Sequence, residues 1–225
     1  MPKNLVVVTS VINIPNLPFS YTEIRSKYTR EERFEQTKNT ILSVKNKIPD
    51  LEILMIECSE LNEEETNYFK NNVNYFLNIY NNELHPETYV FGKSKSLGEN
   101  TLLMYAINYL CDNNIEYENF YKISGRYWLN DKFDYEKFNN NKIVYKTDEK
   151  NEIDTYTSFY KIPKSHIYSY SNFINDNSQL LFNCICAEIF VGYYLSTLDP
   201  EIKCKIDYVG VCGYIAVWDN YYLEY

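Results

Sequence analysis

The chain has 225 residues, a formal net charge of -9 and a pI near 4.9. That length can bury a sizeable core without disulfide or metal staples, and the acidic balance excludes the broad basic surface with which nucleic-acid-binding proteins displace phosphate counterions. Tyr (24), Phe (12) and Asn (28) are over-used, a bias that reads as an AT-rich coding genome, such as that of a large DNA virus or an AT-rich microbe.

The opening segment, MPKNLVVVTSVINIPNLPF, interrupts its apolar run with Thr, Ser and Asn. It therefore lacks the continuous apolar region of a signal peptide, and no window reaches the length of a membrane span. The expected location is cytoplasmic, meaning host cytoplasm or virion if the source is viral. Cys58, Cys111, Cys184, Cys186, Cys204 and Cys212 form no CxxC pair and are expected to be reduced and mostly buried.

Residues 5–9 form a β-branched run that reads as a buried first strand. After a loop with Pro15 and Pro18, Thr29 and Glu32 make a T-x-x-E capping box, followed by Phe34, Ile41, Val44 and Ile48 at helical spacing. A helix over 30–47 follows, ending before Pro49. Residues 51–57 (LEILMIE) read as a second strand. Asn62 then begins a second helix whose apolar side comprises Tyr68, Phe69, Val73, Phe76, Leu77 and Tyr80.

Residues 88–91 read as a third strand, and a loop with Lys93, Lys95 and Gly98 leads to a helix that turns Leu102, Leu103, Ala106, Ile107 and Leu110 inward. A fourth strand follows within FYKISGRYWLND, residues 120–131. Its alternation places Lys122, Ser124 and Arg126 on one face and Tyr121, Ile123, Tyr127 and Leu129 on the other. Short strands over 143–146 and 157–161, helices over 164–173 and 178–198, and a Gly-punctuated stretch over 206–218 complete the chain.

This alternation predicts an α/β fold with a mainly parallel, Rossmann-like sheet flanked by helices. No linker marks a boundary, so a single domain is expected, with a change of rhythm between 1–131 and an α+β half over 132–225. Ligands of such sheets bind beyond the carboxyl ends of the strands. That rule selects Thr9 and Ser10, residues 57–59, residues 93–99 with Lys95, and residues 124–128. Arg30 and Arg33 lie one turn apart near the same rim. They read either as ligand contacts or as solvated partners of Glu31, Glu32 or Glu35. Lys122 and Arg126 read either as a phosphate site or as a structural ion pair.

The order NLVVVTS, TREERFEQTKNTILSV, KSKSLGENTLLMYAINYL and FYKISGRYWLND resembles the GT-A-type glycosyltransferase-like proteins of large DNA viruses and some bacteria. The likeness covers most of the chain, with its recognisable motifs between Leu5 and Asp131. It implies a GT-A-like fold in which 1–131 binds a nucleotide sugar, with a UDP-sugar one candidate, and 132–225 holds a glycan acceptor. By position it places Thr9, Ser10, Arg30, Arg33, Lys95, Lys122, Ser124 and Arg126 against the donor.

Many GT-A enzymes carry an Asp-x-Asp at the end of the fourth strand that holds Mn2+ or Mg2+ against the diphosphate. This chain has Ser124-Gly125-Arg126 there and no Asp-x-Asp anywhere. The expectation is transfer with no cofactor, Arg126 and Lys122 replacing the metal; the nearest acidic pair is Asp131 and Asp134, and the alternative is Mn2+ or Mg2+ at Asp131. Glu188, an acidic residue within LLFNCICAEIFVGYYL, is the candidate general base if the sugar is inverted, or else a buried structural Glu. Asp154 and Asp219 are weaker candidates for that role.

His85 and His166 read as surface residues. Gly210 and Gly213 read as turn glycines, and Tyr127 and Trp128 as core or stacking aromatics. Two other classes compete with the enzyme: a non-catalytic nucleotide- or glycan-binding module, and a nucleotidyltransferase, which lacks its Gly-rich phosphate loop here. Oligomeric state is not legible.

Overall fold

A computed structural model describes residues 4–217 and 220–223; Trp218 and Asp219 lie outside the described residues. In chain order the first half comprises β1 (Asn4–Ser10), α1 (Arg30–Lys47), β2 (Leu51–Glu57), α2 (Glu63–Asn72), β3 (Tyr75–Asn78), α3 (Glu87–Val90), α4 (Lys95–Asp112) and β4 (Asn119–Ser124). The second half comprises β5 (Tyr127–Leu129), β6 (Ile143–Tyr145), β7 (Phe159–Pro163), α5 (Lys164–Asp176), α6 (Ser178–Phe182), α7 (Ala187–Ser196), β8 (Lys203–Lys205), β9 (Val211–Ile215) and β10 (Asn220–Leu223).

Seven strands form one sheet in the order β3-β2-β1-β4-β7-β6-β8, and β5, β9 and β10 form a second, antiparallel sheet. In the large sheet β7 alone runs against the other six. The architecture is the expected α/β one.

Burial on both faces explains why β1 reads as a continuous apolar run. Leu5 and Val7 join α4, α5 and α7 on one side, while Val6 and Val8 join α1 and α2 on the other. The Thr29–Glu32 capping box closes the start of α1 with both arms present, and Asn62 with Glu65 does the same for α2. α1 also buries a polar stripe. Thr37 Oγ1 donates to the Gly125 carbonyl at 2.8 Å and Thr40 Oγ1 to that of Tyr127 at 2.6 Å, so this helix is bolted to the chain leaving β4.

Five expectations give way to tertiary structure. The second helix stops at Asn72 instead of running to Tyr80, because residues 75–78 add to the free edge of β2. Tyr75 and Leu77 face one core layer and Phe76 the other, so a helix-like spacing also fits a two-sided strand. The third strand expected over 88–91 is instead the short helix α3, whose last carbonyls are taken up by Arg25.

The helix expected over 178–198 breaks between α6 and α7, where Cys184 adopts φ 62°. Of the cysteines, all free, only Cys58 and Cys212 are buried; Cys184 and Cys186 are exposed at that break. The stretch 120–131 is two strands in two sheets, joined by a turn at Gly125 and Arg126. Tyr127 and Trp128 pack against Tyr222, Tyr214 and Tyr221 in the small sheet. Gly210, at φ 76°, supplies the left-handed residue before β9.

Candidate active site

At the carboxyl ends of β1 and β4 the chain encloses a cavity of about 820 Å³, counted out to its open mouth. Thr9, Ser10, Arg33, Lys95, Ser124 and Arg126 all line it. The structure therefore brings together six of the rim residues selected from sequence. Gly125 permits the convergence: a Cβ there would lie 3.0 Å from Thr37 Oγ1 and 3.1 Å from Ser10 Cβ. A side chain there would press on Thr37 and Ser10, so glycine suits the close approach of this turn to the end of β1.

Arg33 is buried, donates from Nε to the Val11 carbonyl at 2.7 Å and reaches Ser26 Oγ at 3.5 Å. Burial and the nearby Arg126 both push down the pKa of its guanidinium, against the pull of Glu57. A guanidinium keeps its proton nonetheless. Arg126 donates from Nε to the Tyr214 carbonyl at 3.1 Å. Its Nη groups, and Arg33 Nη2, make no hydrogen bond among the described residues. Two like charges thus share a cavity with donors to spare. Lys95 stands in the first turn of α4, whose amino end also faces this cavity through Gly98 and Glu99. A helix amino end adds positive potential there.

Lys122 has a different place. It is wholly buried beneath the cavity, and its ammonium donates to Glu99 Oε1, to Ser124 Oγ at 2.9 Å and to the Thr157 carbonyl at 2.7 Å. All three donors are engaged, so it faces Glu99 instead of an incoming ligand. Arg30 diverges from Arg33. Its guanidinium holds the Glu65 carboxylate at 2.7 and 2.6 Å and is not part of the cavity wall.

Glu188 lies one link beyond Lys122, half-buried in the first turn of α7, and accepts from Thr157 Oγ1 at 3.1 Å. Burial and Glu188 together push the neighbouring Asp154 carboxyl above its ordinary range. The two histidines stand apart from the cavity: His85 is exposed beside Glu87, and His166 is half-buried in α5.

Three residues that the sequence did not single out complete the site. Glu99 projects into the cavity from α4. Burial opposes its charge, but the Lys122 and Lys95 ammoniums outweigh that and hold its carboxyl below the usual carboxylate range. Glu57, at the end of β2, is fully buried and accepts from the Ile12 and Cys58 amides and Ser59 Oγ. Burial raises its carboxyl to about 6 despite those bonds and Arg33. Arg25 lies over the Phe19 ring at 4.0 Å and donates to the carbonyls of Leu17, Val90, Phe91 and Gly92. The rim rule pointed to 57–59 and 93–99 as segments; nothing in the loop composition around Arg25 marks it.

The ligand set after β4 does not fit a divalent ion. Ser124 and Arg126 offer one hydroxyl and a cation, and no group of three or more His, Cys, Asp or Glu able to hold a metal occurs among the described residues. Asp131 is fully exposed, paired with Lys47 at 3.0 Å, and Asp134 caps a short 3-10 turn.

No protein-family model matches the sequence, and no curated protein matches it. Solved structures do match, 147 chains in all. A glycosyltransferase involved in the glycosylation of the major capsid of PBCV-1 superposes with a TM-score of 0.50 at 11% identity, over 92% of this chain and 82% of that one. The chain has a glycosyltransferase-like, GT-A-like fold. The glycosyltransferase GlyE of Streptococcus pneumoniae TIGR4 gives a TM-score of 0.49 at 8% identity over 92% of this chain, which spans only 46% of GlyE. Among the described residues no helix is long and apolar enough to cross a membrane.

Proposed function

We propose that the cavity binds a nucleoside-diphosphate sugar, with a UDP-sugar one candidate, and that the chain transfers the sugar to a hydroxyl of a glycan acceptor. The observation that carries this reading is the pairing of Arg33 with Arg126 in one cavity, two guanidiniums with unused donors and, among the described residues, no carboxylate bound to either. Such an arrangement is costly unless an anion completes it, and guanidinium forks match phosphate oxygens. Phe19 and Tyr21, stacked at 5.5 Å, form an apolar wall of the same cavity suited to a nucleobase.

In the reaction the bond between the anomeric carbon and the diphosphate oxygen breaks, with both electrons leaving on that oxygen. Arg33, Arg126 and the amino end of α4 stabilise the charge that develops there. The acceptor oxygen forms the new bond to the anomeric carbon. Its proton passes to a carboxylate, for which Glu188 is the candidate if the sugar is inverted. No metal enters this scheme, because the turn after β4 supplies a cation, Arg126, in place of metal ligands. Residues 1–131 supply most of the donor cavity and 132–225 the acceptor side, while Ile215, Ala216 and Val217 return from the second half to close it.

The test is thermal denaturation with nucleoside diphosphates in EDTA, followed by assays for slow nucleotide-sugar hydrolysis. A rise in melting temperature that Arg126→Ala abolishes is expected. A chain that binds glycans yet ignores every nucleotide would be a non-catalytic module, and this reading would fall.

A further inference from the structure

We propose that Glu99, fixed from below by Lys122, reads a hydroxyl of the transferred sugar, so that the donor carries a neutral, hydroxyl-rich sugar and not a uronic acid. This rests on the nucleotide-sugar reading above and names which sugars that site takes.

A carboxylate in a cavity built for diphosphate is a contradiction if phosphate is its neighbour, since like charges repel. Yet the chain goes to some length to hold one there. A fully buried lysine on β4 directs all three of its donors at Glu99, Ser124 and the Thr157 carbonyl, leaving none for a ligand. What this arrangement produces is one oriented carboxylate: Glu99 Oε1 is taken by Lys122, and Oε2 makes no hydrogen bond among the described residues, in a side chain only 13% exposed. An ionised carboxylate accepts and never donates, so it selects hydroxyl donors and repels a second carboxylate.

Position decides which hydroxyl. The aromatic wall of Phe19 and Phe91 lies with Arg25 against the α3 side of the cavity. Glu99 is tied instead to Lys122 on β4, which also donates to the carbonyl of Thr157, a residue that leads into β7 and donates to Glu188. A donor with its base on the aromatic wall and its phosphates between Arg33 and Arg126 would bring its sugar to this second end. Glu99 is poorly suited to be the base itself. A lysine-locked carboxylate titrates well below the operating pH, where a general base loses driving force.

The test titrates the wild-type chain and Glu99→Gln with a nucleoside diphosphate, the corresponding neutral hexose donors, their single-deoxy analogues and a nucleotide uronate. In wild type, the hexose donor is expected to outcompete the uronate. Removal of the hydroxyl that is read should cost about tenfold to a hundredfold in affinity or kcat/KM. In Glu99→Gln the hexose-over-uronate ratio should collapse while affinity for the nucleoside diphosphate holds or rises. Lys122→Met, a positioning change, should move that ratio in the same direction, which a purely structural role would not do.

Equal loss for diphosphate and sugar donor in Glu99→Gln, or a wild-type chain that uses every deoxy analogue and the uronate as well as the hexose, overturns the assignment and leaves the nucleotide site standing. If no nucleoside diphosphate or nucleotide sugar binds the wild type, the parent reading fails first. Should Glu99→Gln not fold, the deoxy and uronate series on wild type decides alone.

Discussion

Arg33 and Arg126 reach one cavity from two different elements, a helix and a turn, and the charge of Arg126 weighs against that of Arg33. In a folded protein such a like-charged pair is retained where a bound anion offsets it. In the proposed reaction the pair would stand, at the end of β4, for the point charge that a metal brings. It differs from a metal in being two planar forks, with Arg33 buried and Arg126 half-buried.

Arg126→Ala is expected to lower nucleoside-diphosphate affinity by about tenfold or more, since a hydrogen bond between charged groups is worth about 1.5–3 kcal/mol. The melting temperature of the free protein should stay near wild type or rise, because one of two repelling charges is gone. Arg126→Lys should restore only part of the affinity, a point charge lacking the fork. Calorimetric titration in EDTA at two salt concentrations measures both. Affinity unchanged in Arg126→Ala would remove the residue from the site.

Glu57 gives a pH signature. Burial raises its carboxyl from 4.5 to about 6, so between those values the folded chain binds more protons than the unfolded one. Stability linked to this group is fully present below about pH 4.5, falls as pH rises, and is lost above about pH 6, a change of about 2 kcal/mol. Glu57→Gln keeps an oxygen acceptor for the Ile12 and Cys58 amides but has no proton to lose. Its stability relative to wild type should therefore climb by that amount across the window. Carboxyls held low elsewhere, such as Glu65 and Glu99, act in both proteins and cancel in the difference. Urea melts at several pH values would show two parallel curves if the assignment were wrong.

Arg25 holds the loop before α1 onto α3. Its guanidinium stacks on Phe19 at 4.0 Å and donates to Leu17 O at 2.7 Å and Phe91 O at 2.6 Å, with the side chain almost wholly buried. Arg25→Met leaves those carbonyls short of donors and should cost about 2–3 kcal/mol, or a fall of about 4–12 °C in Tm for a chain of this size. Because Phe19 and Tyr21 are carried on that loop, nucleoside affinity should fall as well, while affinity for inorganic pyrophosphate changes less. Equal loss for both ligands would show that the loop does not hold the base.

What the sequence made legible follows from how local each signal is. The β-branched run of β1 and the Thr29–Glu32 box of α1 depend on neighbours in the chain, and both stand as expected. The rim of the sheet was legible too, since strand ends can be located without knowing what packs on them. β3 and α3 were not. Phe76 and Leu77 suit a helix face or a strand until the free edge of β2 claims them, and the four residues of α3 are held as a helix by a distant Arg25. The partner of Lys122 was hidden for the same reason: Glu99 lies 23 positions away on another element. A strand with Lys122 and Arg126 two apart on each side of Ser124 looks like one basic face, although the turn at Gly125 separates a buried ion pair from a cavity-lining guanidinium.

Glu188 carries the last prediction. It is half-buried at the amino end of α7, bound to Thr157 Oγ1 at 3.1 Å, and the Thr157 carbonyl in turn receives Lys122. Glu188 is not among the residues lining the cavity; in the proposed reaction it would stand beyond the sugar, on the half of the chain from which an acceptor approaches. If it takes the acceptor proton, Glu188→Gln should keep donor affinity within about twofold, since the amide still accepts from Thr157, and should lower kcat by about 10²–10⁴-fold, the usual worth of a positioned base. KM for the donor should stay near wild type, and activity should not return at high pH. Thr157→Val, which removes the hydroxyl but not the carboxylate, should produce a smaller loss. Full transfer by Glu188→Gln on a working acceptor would assign the proton to another group, with Asp154, whose carboxyl burial and Glu188 already push upward, the next to be replaced.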